Sequence, residues 1–350
     1  MCKRRIGVLF GGRSEEHDVS LVSACSVIRA LNPDKFVPIY IGITKEGKWK
    51  KYDGAAEKIM DGSWEKHARS FNPGDLIEAV DFALPVLHGP YGEDGCIQGF
   101  LETLGIPYGG CGVLASAVAM DKQLFKQLMK ENGFPVCAYT CLTREEILKD
   151  AEVAAKKVIE SIGLPCFVKP TNMGSSVGIS KAGSKKELYE GLKTACLYDN
   201  KVIIEEYIKA RELEIAALGG SIPEFTDIGE ITPSKEFYDY QAKYSKSGAP
   251  SKLTIPAVIE ESERETVRKL AAGAYKAVGG YGFCRIDFFM EENTHNIYIN
   301  EINTIPGFTD GSMFPLLWQN RGLEYGEIIE RIIDLGYERY YAENNRQTTV

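Results

Sequence analysis

Ile297–Thr309, IYINEINTIPGFT, and the run just before it, Gly282–Phe289, GFCRIDFF, decide how the rest of the chain is organised. Side chains alternate between the two faces of a strand, so Ile297, Ile299, Glu301 and Asn303 are expected on one face, an apolar beginning that delivers two oxygen-bearing groups at the strand's end. Arg285 and Asp287 obey the same spacing, and MEENTHN between the two runs reads as the turn of an antiparallel hairpin. One sheet face would then collect Arg285, Asp287, Glu301 and Asn303, oxygen ligands of the kind magnesium takes beside a fixed cation. A single acid on a strand is usually just solvated. Four polar groups on apolar strands that end in Pro306-Gly307 point instead to a site, because unpaired charge is rarely buried.

Outward from this hairpin, the 350 residues exceed one typical domain, and two or three are expected. The net charge of −8, from 41 basic and 49 acidic residues, leaves no basic footprint, so nucleic acid is not expected as a partner. The apolar run after MCKRR stops at Gly11, too short for a signal peptide or a membrane span, and a cytoplasmic protein without membrane contact is expected. Nine cysteines with no C-x-x-C pair read as reduced, mostly buried thiols.

Ile6 to Phe10 is a strand running into Gly11-Gly12 and a helical tract that stops at Asn32-Pro33, the opening of a doubly wound sheet. The turn lacks G-x-G-x-x-G, so a dinucleotide oxidoreductase is disfavoured. Phe36 to Thr44 and Val80 to Leu87 read as further strands; LHGPYGEDG then places His88, Glu93 and Asp94 where ligands of open sheets bind, although a lone loop histidine is often only exposed. Residues 54–79 read as a peripheral excursion. A helix is expected from Val113 to Asn132, and Thr143 with Glu146 and Ser184 with Glu187 match the capping box. Residues 233–256 show no helical or strand period and are long for a plain connection, which favours a lid. Helices are expected over Glu260 to Val278 and in the amphipathic closing segment.

FVKPTNMGSSVGIS sets Lys169 at a strand end before a Gly174-Ser175-Ser176 turn whose N–H groups suit phosphate, although such turns are commonly structural. Lys122 could reach the same cleft or be a solvated helix lysine. Glu205 suits an adenine or ribose hydroxyl, or equally, with Glu206, a polar strand edge.

Seven stretches in order, GGRSEEHDVS, LHGPYGEDGCIQG, MDKQLFKQL, VKPTNMGSSVGIS, FYDYQAKY, GFCRIDFF and NEINTIPGFT, make the chain resemble the ATP-grasp carboxylate-amine ligases, and among them the D-alanine–D-alanine ligase family, over nearly its whole length. The resemblance implies an α/β chain with an ATP-grasp fold behind an N-terminal Rossmann-like parallel-sheet domain. Its regions would be 1–120, taking the first substrate, 121–210, the central subdomain, and 211–350, carrying the metal site and the lid 233–256. It implies ATP as co-substrate, with Lys122, Lys169 and Ser176 at its phosphates, Glu205 and Glu212 at adenine and ribose, and Lys243 covering the phosphates. Asp287, Glu301 and Asn303 would hold two magnesium ions, or manganese. Arg285 and the Gly307 backbone would hold an oxyanion, and Glu16 the ammonium of the first D-alanine, in a hydrogen-bonded set with Ser175 and Tyr244. His88 would stand beside the first substrate, and Ser312 and Met313 beside the second.

The chemistry agrees. A carboxylate must be activated by the γ-phosphoryl of ATP before an amine can attack it, and the resulting acyl phosphate needs shelter from water. Where the family commonly has Ser-His-Ser-Leu, this chain has Asp310-Gly311-Ser312-Met313, without the histidine. Relatives that use D-serine or D-lactate often carry arginine where Met313 stands, and lactate users lack the tyrosine at Tyr244; both positions favour D-alanine, for peptidoglycan precursor synthesis. The alternatives are D-serine or D-lactate as second substrate on the same fold, and a non-catalytic nucleotide-binding module. A homodimer is expected.

Overall fold

The structure is a computed structural model that describes residues 3–233 and 251–345. Lys243 and Tyr244, with most of the expected lid, lie outside the described residues.

Three sheets carry the described chain. The first contains β1 (Arg4–Gly11), β2 (Phe36–Ile43), β3 (Trp49–Tyr52), β4 (Arg69–Ser70) and β5 (Phe82–Pro85) in the order β4-β3-β2-β1-β5. β1 pairs in parallel with both β2 and β5, as a strand–helix–strand opening requires. Residues 54–79 are less peripheral than their scattered charges suggest. Ile59, Trp64 and Leu76 are buried, and Trp64 packs edge-on against Phe10, ring centroids 4.9 Å apart. Short helices with one apolar anchor each leave no period to read. The last helix, Tyr325–Asn344, sends Ile328, Ile329, Ile332 and Ile333 into the same core as Ile6, Val8 and Phe82, so the two halves of the chain complete one hydrophobic cluster.

The second sheet is antiparallel, β6-β9-β7-β8, from β6 (Tyr139–Thr143), β7 (Cys166–Pro170), β8 (Ser180–Ala182) and β9 (Lys201–Glu206). Its core draws only on residues between 142 and 204. Thr143 and Glu146 form the full capping box. Ser184 accepts from Glu187 N–H, while Glu187 reaches Gly183 N–H at 2.8 Å. The expected helix from Val113 to Asn132 is two helices, Val113–Met120 and Lys122–Glu131, broken at Asp121. Asp121 is extended and caps the second helix by accepting from Gln123 and Leu124 N–H, a cap that the apolar periodicity on both sides concealed.

The third sheet runs β12-β11-β10-β13-β14, from β10 (Ala210–Gly219), β11 (Pro223–Thr232), β12 (Lys252–Thr254), β13 (Gly282–Glu291) and β14 (Ile297–Asn303), antiparallel throughout. β12 is a strand inside the stretch read as lacking any. Helix Glu261–Val278 covers the face that carries Cys284, Ile286, Phe288, Met290, Ile297 and Ile299. The hairpin forms as read, with one difference. A bulge falls between Asp287 and Phe288, where Asp287 pairs with Glu301 but Phe288 with Ile299. The extra residue reverses the alternation, so Ile297, Ile299 and Ile302 face the core, and Glu301 and Asn303 face the other way. Without the bulge, a strict period of two would have put either the acids or the isoleucines on the wrong side.

The eight cysteines among the described residues are all free and mostly buried. Among those residues no helix is long and apolar enough to cross a membrane.

Candidate active site

The three sheets meet around a cavity of about 910 Å³ lined by residues from each of them. From the first sheet, the loop after β1 brings Glu16, which is 7% exposed. Ser175 Oγ donates to Glu16 Oε1 across the cleft. The carboxylate is wedged between two glycines: an added Cβ would stand 2.5 Å from Glu16 Oε2 at Gly89 and 2.4 Å from it at Gly174. A side chain at either position would displace the Glu16 carboxylate, and Gly89 also has a φ of +74° that suits glycine.

The loop after β5 brings His88 and Glu93. His88 is buried, with Nδ1 3.1 Å from Ile305 O and Nε2 3.0 Å from Ser23 Oγ. A carbonyl only accepts, so Nδ1 carries the hydrogen and Nε2 accepts from the serine. Burial lowers the His88 pKa, which keeps the ring neutral. Glu93 accepts from Gly89 N–H at 2.8 Å and Ile305 N–H at 3.3 Å. Burial, and next the charge on Glu16, push its carboxyl up to about 8.

The helix break at Asp121 puts Lys122 at the cavity wall, where Nζ donates to Met173 O at 2.7 Å and lies 3.8 Å from Glu301 Oε2. Lys169, at the end of β7, donates to Glu205 Oε2 at 2.6 Å, and Lys126 Nζ stands 3.1 Å from Glu205 Oε1. Burial alone would raise the Glu205 carboxyl, but the ammoniums of Lys126 and then Lys169 hold it down at about 2. Ser175 and Ser176 follow with φ of 46° and 61°, a left-handed pair that turns the backbone of this loop.

On the third sheet Arg285, Asp287, Glu301 and Asn303 share the cavity face, as the spacing predicts. Arg285 Nε and Nη2 donate to Asp287 Oδ1 and Oδ2, both at 2.7 Å, and Asn303 Nδ2 donates to Asp287 Oδ2 at 2.9 Å. Glu214 Oε2 lies 3.0 Å from Arg285 Nε. Among the described residues no three His, Cys, Asp or Glu side chains are gathered as a metal cluster; Asp287 has turned both oxygens to Arg285. Gly307 and Ser312 are neighbours, with Thr309 N–H donating to Ser312 Oγ at 3.1 Å.

Family models match both halves of this chain. The model for the D-ala D-ala ligase N-terminus covers residues 5–111 and that for the D-ala D-ala ligase C-terminus covers residues 128–334. The chain belongs to the D-alanine–D-alanine ligase family. A D-alanine–D-alanine ligase of Acetivibrio thermocellus is 46% identical over 97% of each chain, and one of Thermoanaerobacter sp. strain X514 is 47% identical over 97% of this chain and 98% of the relative. Among solved structures, the VanG D-Ala:D-Ser ligase of Enterococcus faecalis is similar with a TM-score of 0.84 at 36% identity, covering 96% of this chain and all of that one. A D-alanine–D-alanine ligase of Coxiella burnetii is similar with a TM-score of 0.83 at 30% identity, covering 98% and 97%.

Of the positions expected from the family resemblance, Glu16, His88, Lys122, Lys169, Ser175, Ser176, Glu205, Glu212, Arg285, Asp287, Glu301, Asn303, Gly307, Ser312 and Met313 all line the one cavity. Met313 is also 4% exposed and packed in the core beside Gly229. The Glu205 carboxylate, expected at adenine or ribose, is engaged by two lysines. Sequence reasoning missed Glu214 and Lys126. Glu214 carried a signal, since Glu212 and Glu214 repeat the i, i+2 spacing of Arg285 and Asp287. Lys126, in a helix rich in lysine, carried none.

Proposed function

We propose that this protein joins two D-alanines into D-alanyl-D-alanine, converting ATP to ADP and phosphate, for peptidoglycan precursor synthesis. The observation that carries the reading is one cavity walled by the buried Glu16, the Lys122 and Lys169 ammoniums, and the Arg285–Asp287–Glu301–Asn303 face, in a chain of this family. The reading divides the chain into regions 1–120, 121–210 and 211–350, and takes the protein as a cytoplasmic homodimer.

In this reading Glu16, with Ser175 donating to it, receives the ammonium of the first D-alanine, and neutral His88 lies beside that substrate. The first carboxylate attacks the γ-phosphorus, ADP leaves, and an acyl phosphate forms. Lys122 and Lys169 oppose the phosphate charge, Ser176 offers its turn, and Glu205 holds Lys169 at its post while Glu212 faces the ribose. The amine of the second D-alanine then attacks the acyl carbon; Arg285 and Gly307 N–H oppose the charge of the tetrahedral oxyanion, which collapses with loss of phosphate. Ser312 and Met313 border the second substrate. Lys243 and Tyr244, outside the described residues, are the lid contribution. The donor set fits magnesium: Asp287 and Glu301 directly opposite each other and Asn303 in the next row supply carboxylate and amide oxygens on one face. These residues would hold two ions, magnesium or manganese, which when bound neutralise phosphate charge.

A second reading, D-serine as second substrate, is favoured by the likeness to the VanG D-Ala:D-Ser ligase. A product assay with ATP, magnesium and competing D-alanine, D-serine and D-lactate decides. Mainly D-alanyl-D-alanine supports the first reading, and mainly D-alanyl-D-serine the second. No amino-acid-dependent phosphate release would refute both and leave a nucleotide-binding module.

A further inference from the structure

β10, β13 and β14 lie side by side, and their register sets three carboxylates in one row. Glu214 pairs with Asp287, and Asp287 pairs with Glu301. Neighbouring strands are about 4.8 Å apart, and like charges directly opposite one another destabilise a sheet. Glu214 and Asp287 are 5% and 9% exposed, so water does little to screen them. A compensating charge, Arg285, lies on the same face one row along. It chelates Asp287 through Nε and Nη2 and stands 3.0 Å from Glu214 at Nε. Arg285 thus stands beside both acids, and Asp287 holds the larger share.

The ligase reading gives Asp287 two partners to share its lone pairs, a cation and Arg285. As a cation ligand it must aim a lone pair at the ion, and here both oxygens accept from Arg285. When Asp287 turns away, a buried guanidinium is left needing another anion. Glu214 is already at ion-pair distance on the opposite strand. We propose that Glu214 is a positioning residue that takes over Arg285 as Asp287 turns to a divalent cation, and so keeps the guanidinium charge-balanced at the reacting centre. This rests on the ligase reading for the identity of the reacting centre, but the exchange of partners concerns the chain's own residues.

The test uses the full-length protein with Mn2+ and ADP, free Mn2+ being read by its paramagnetic resonance signal. Glu214→Gln keeps the volume and removes the charge. Mn2+ affinity in the presence of ADP should fall about tenfold, a coupling of ordinary size for neighbouring charged groups. The kcat for D-alanine-dependent phosphate release should fall by about 30-fold with the KM for ATP within about twofold, because the loss falls on the chemical step and not on nucleotide binding. In an Arg285→Met background there is no guanidinium to hand over, and Glu214→Gln should change Mn2+ affinity by less than about twofold. An equal loss in both backgrounds would mean that Glu214 acts on the cation by its own field and would overturn the proposal. So would an unchanged affinity with Arg285 present. If Arg285→Met does not fold, the kinetic split decides: losses of kcat accompanied by an equal rise in the KM for ATP refute the positioning role. Failure of the wild-type protein to form D-alanyl-D-alanine would sink the substrate reading, while the Mn2+–ADP cycle would still report on Glu214.

Discussion

Lys126→Met removes a deeply buried charge paired with Glu205 at the cavity wall and keeps an unbranched apolar chain in its place. Lys126 is 1% exposed, and its ammonium lies 3.1 Å from Glu205 Oε1, while Lys169 holds the other oxygen at 2.6 Å. Breaking a buried pair costs about 3–5 kcal/mol when the remaining charge is left alone. Glu205 keeps Lys169, so the expected cost is nearer 2–3 kcal/mol. The titration of Glu205 gives a similar size. Holding its carboxyl at about 2 instead of its ordinary 4.5 corresponds to roughly 3 kcal/mol at about 1.36 kcal/mol per pH unit, with Lys126 the larger of the two favourable contributors. Because the folded pKa is depressed, this stabilisation is present above about 4.5 and is lost as pH falls toward 2. In the variant Glu205 takes a proton at higher pH, so the gap between the two proteins should be full near neutrality and narrow in acid. At about 2–4 °C per kcal/mol for units of this size, the thermal midpoint should drop by roughly 5–10 °C at neutral pH. Tryptophan fluorescence during heating reads the midpoint. A midpoint within about 1 °C of wild type at neutral pH, well below that expected loss, would refute the claim that this buried triad is structurally coupled, and so would a gap that stays constant into acid.

Gly174→Ala puts a Cβ 2.4 Å from Glu16 Oε2 at a residue without left-handed strain; the KM for D-alanine should rise by at least about tenfold through misplacement of the carboxylate, with ADP binding by calorimetry unchanged. Glu93 has a raised carboxyl at about 8, so its contribution is full below the ordinary 4.5 and is lost as pH rises through about 8; Glu93→Gln should flatten the fall of the thermal midpoint between those limits, and an unaltered slope would count against a buried, protonated Glu93. Glu301→Gln removes charge with little change of volume, and phosphate release should fall by about 100-fold or more while the circular dichroism spectrum stays native. Met313→Arg should shift competition products from D-alanyl-D-alanine toward D-alanyl-D-serine, at a cost in thermal midpoint because Met313 is packed against Gly229.

The acid-bearing hairpin was legible because a strand's alternation and a short turn are local properties. Arg285 with Asp287, and Glu301 with Asn303, need only their own spacing to share a face of their strand, and the short turn makes the two strands partners. The bulge that reconciles them with Ile297 and Ile299 was not legible, since an extra residue in β14 shows only against its partner strand. The same limit hid Glu214. Its alternation was visible, but its position opposite Asp287 depends on β10 pairing with β13 across an intervening stretch of more than sixty residues, as their ranges show. Asp121 was hidden for another reason: one capping residue between two apolar helical tracts changes no periodicity, yet it turns the chain and points Lys122 at Met173. Residues 54–79 failed by the same logic, with Trp64 alone anchoring a short helix.

The cavity's walls are held by forces of different kinds. Both backbone polar groups of Ile305 are taken by the loop after β5, the carbonyl by His88 and the N–H by Glu93. The backbone leading into Pro306-Gly307 is therefore set by the loop that carries His88 and Glu93. The core beneath that loop is completed by Ile328, Ile329, Ile332 and Ile333 of the last helix together with Ala216, Leu218 and Phe283 of the third sheet. Apolar area of that extent makes the first and third sheets resist separation. The second sheet differs, because its own core closes on residues between 142 and 204. Among the described residues its polar links to the cavity rim include Ser175 to Glu16, Met173 to Lys122, Thr171 to the Lys122 N–H, Lys201 to Asp121, and Glu205 to the buried Lys126. Exposed polar links exchange with water at little net cost, whereas apolar burial and a buried charge pair do not. The first and third sheets are thus joined by apolar burial, whereas the second sheet is tied to the rim by polar contacts, of which the buried Lys126–Glu205 pair is the costliest described one to break.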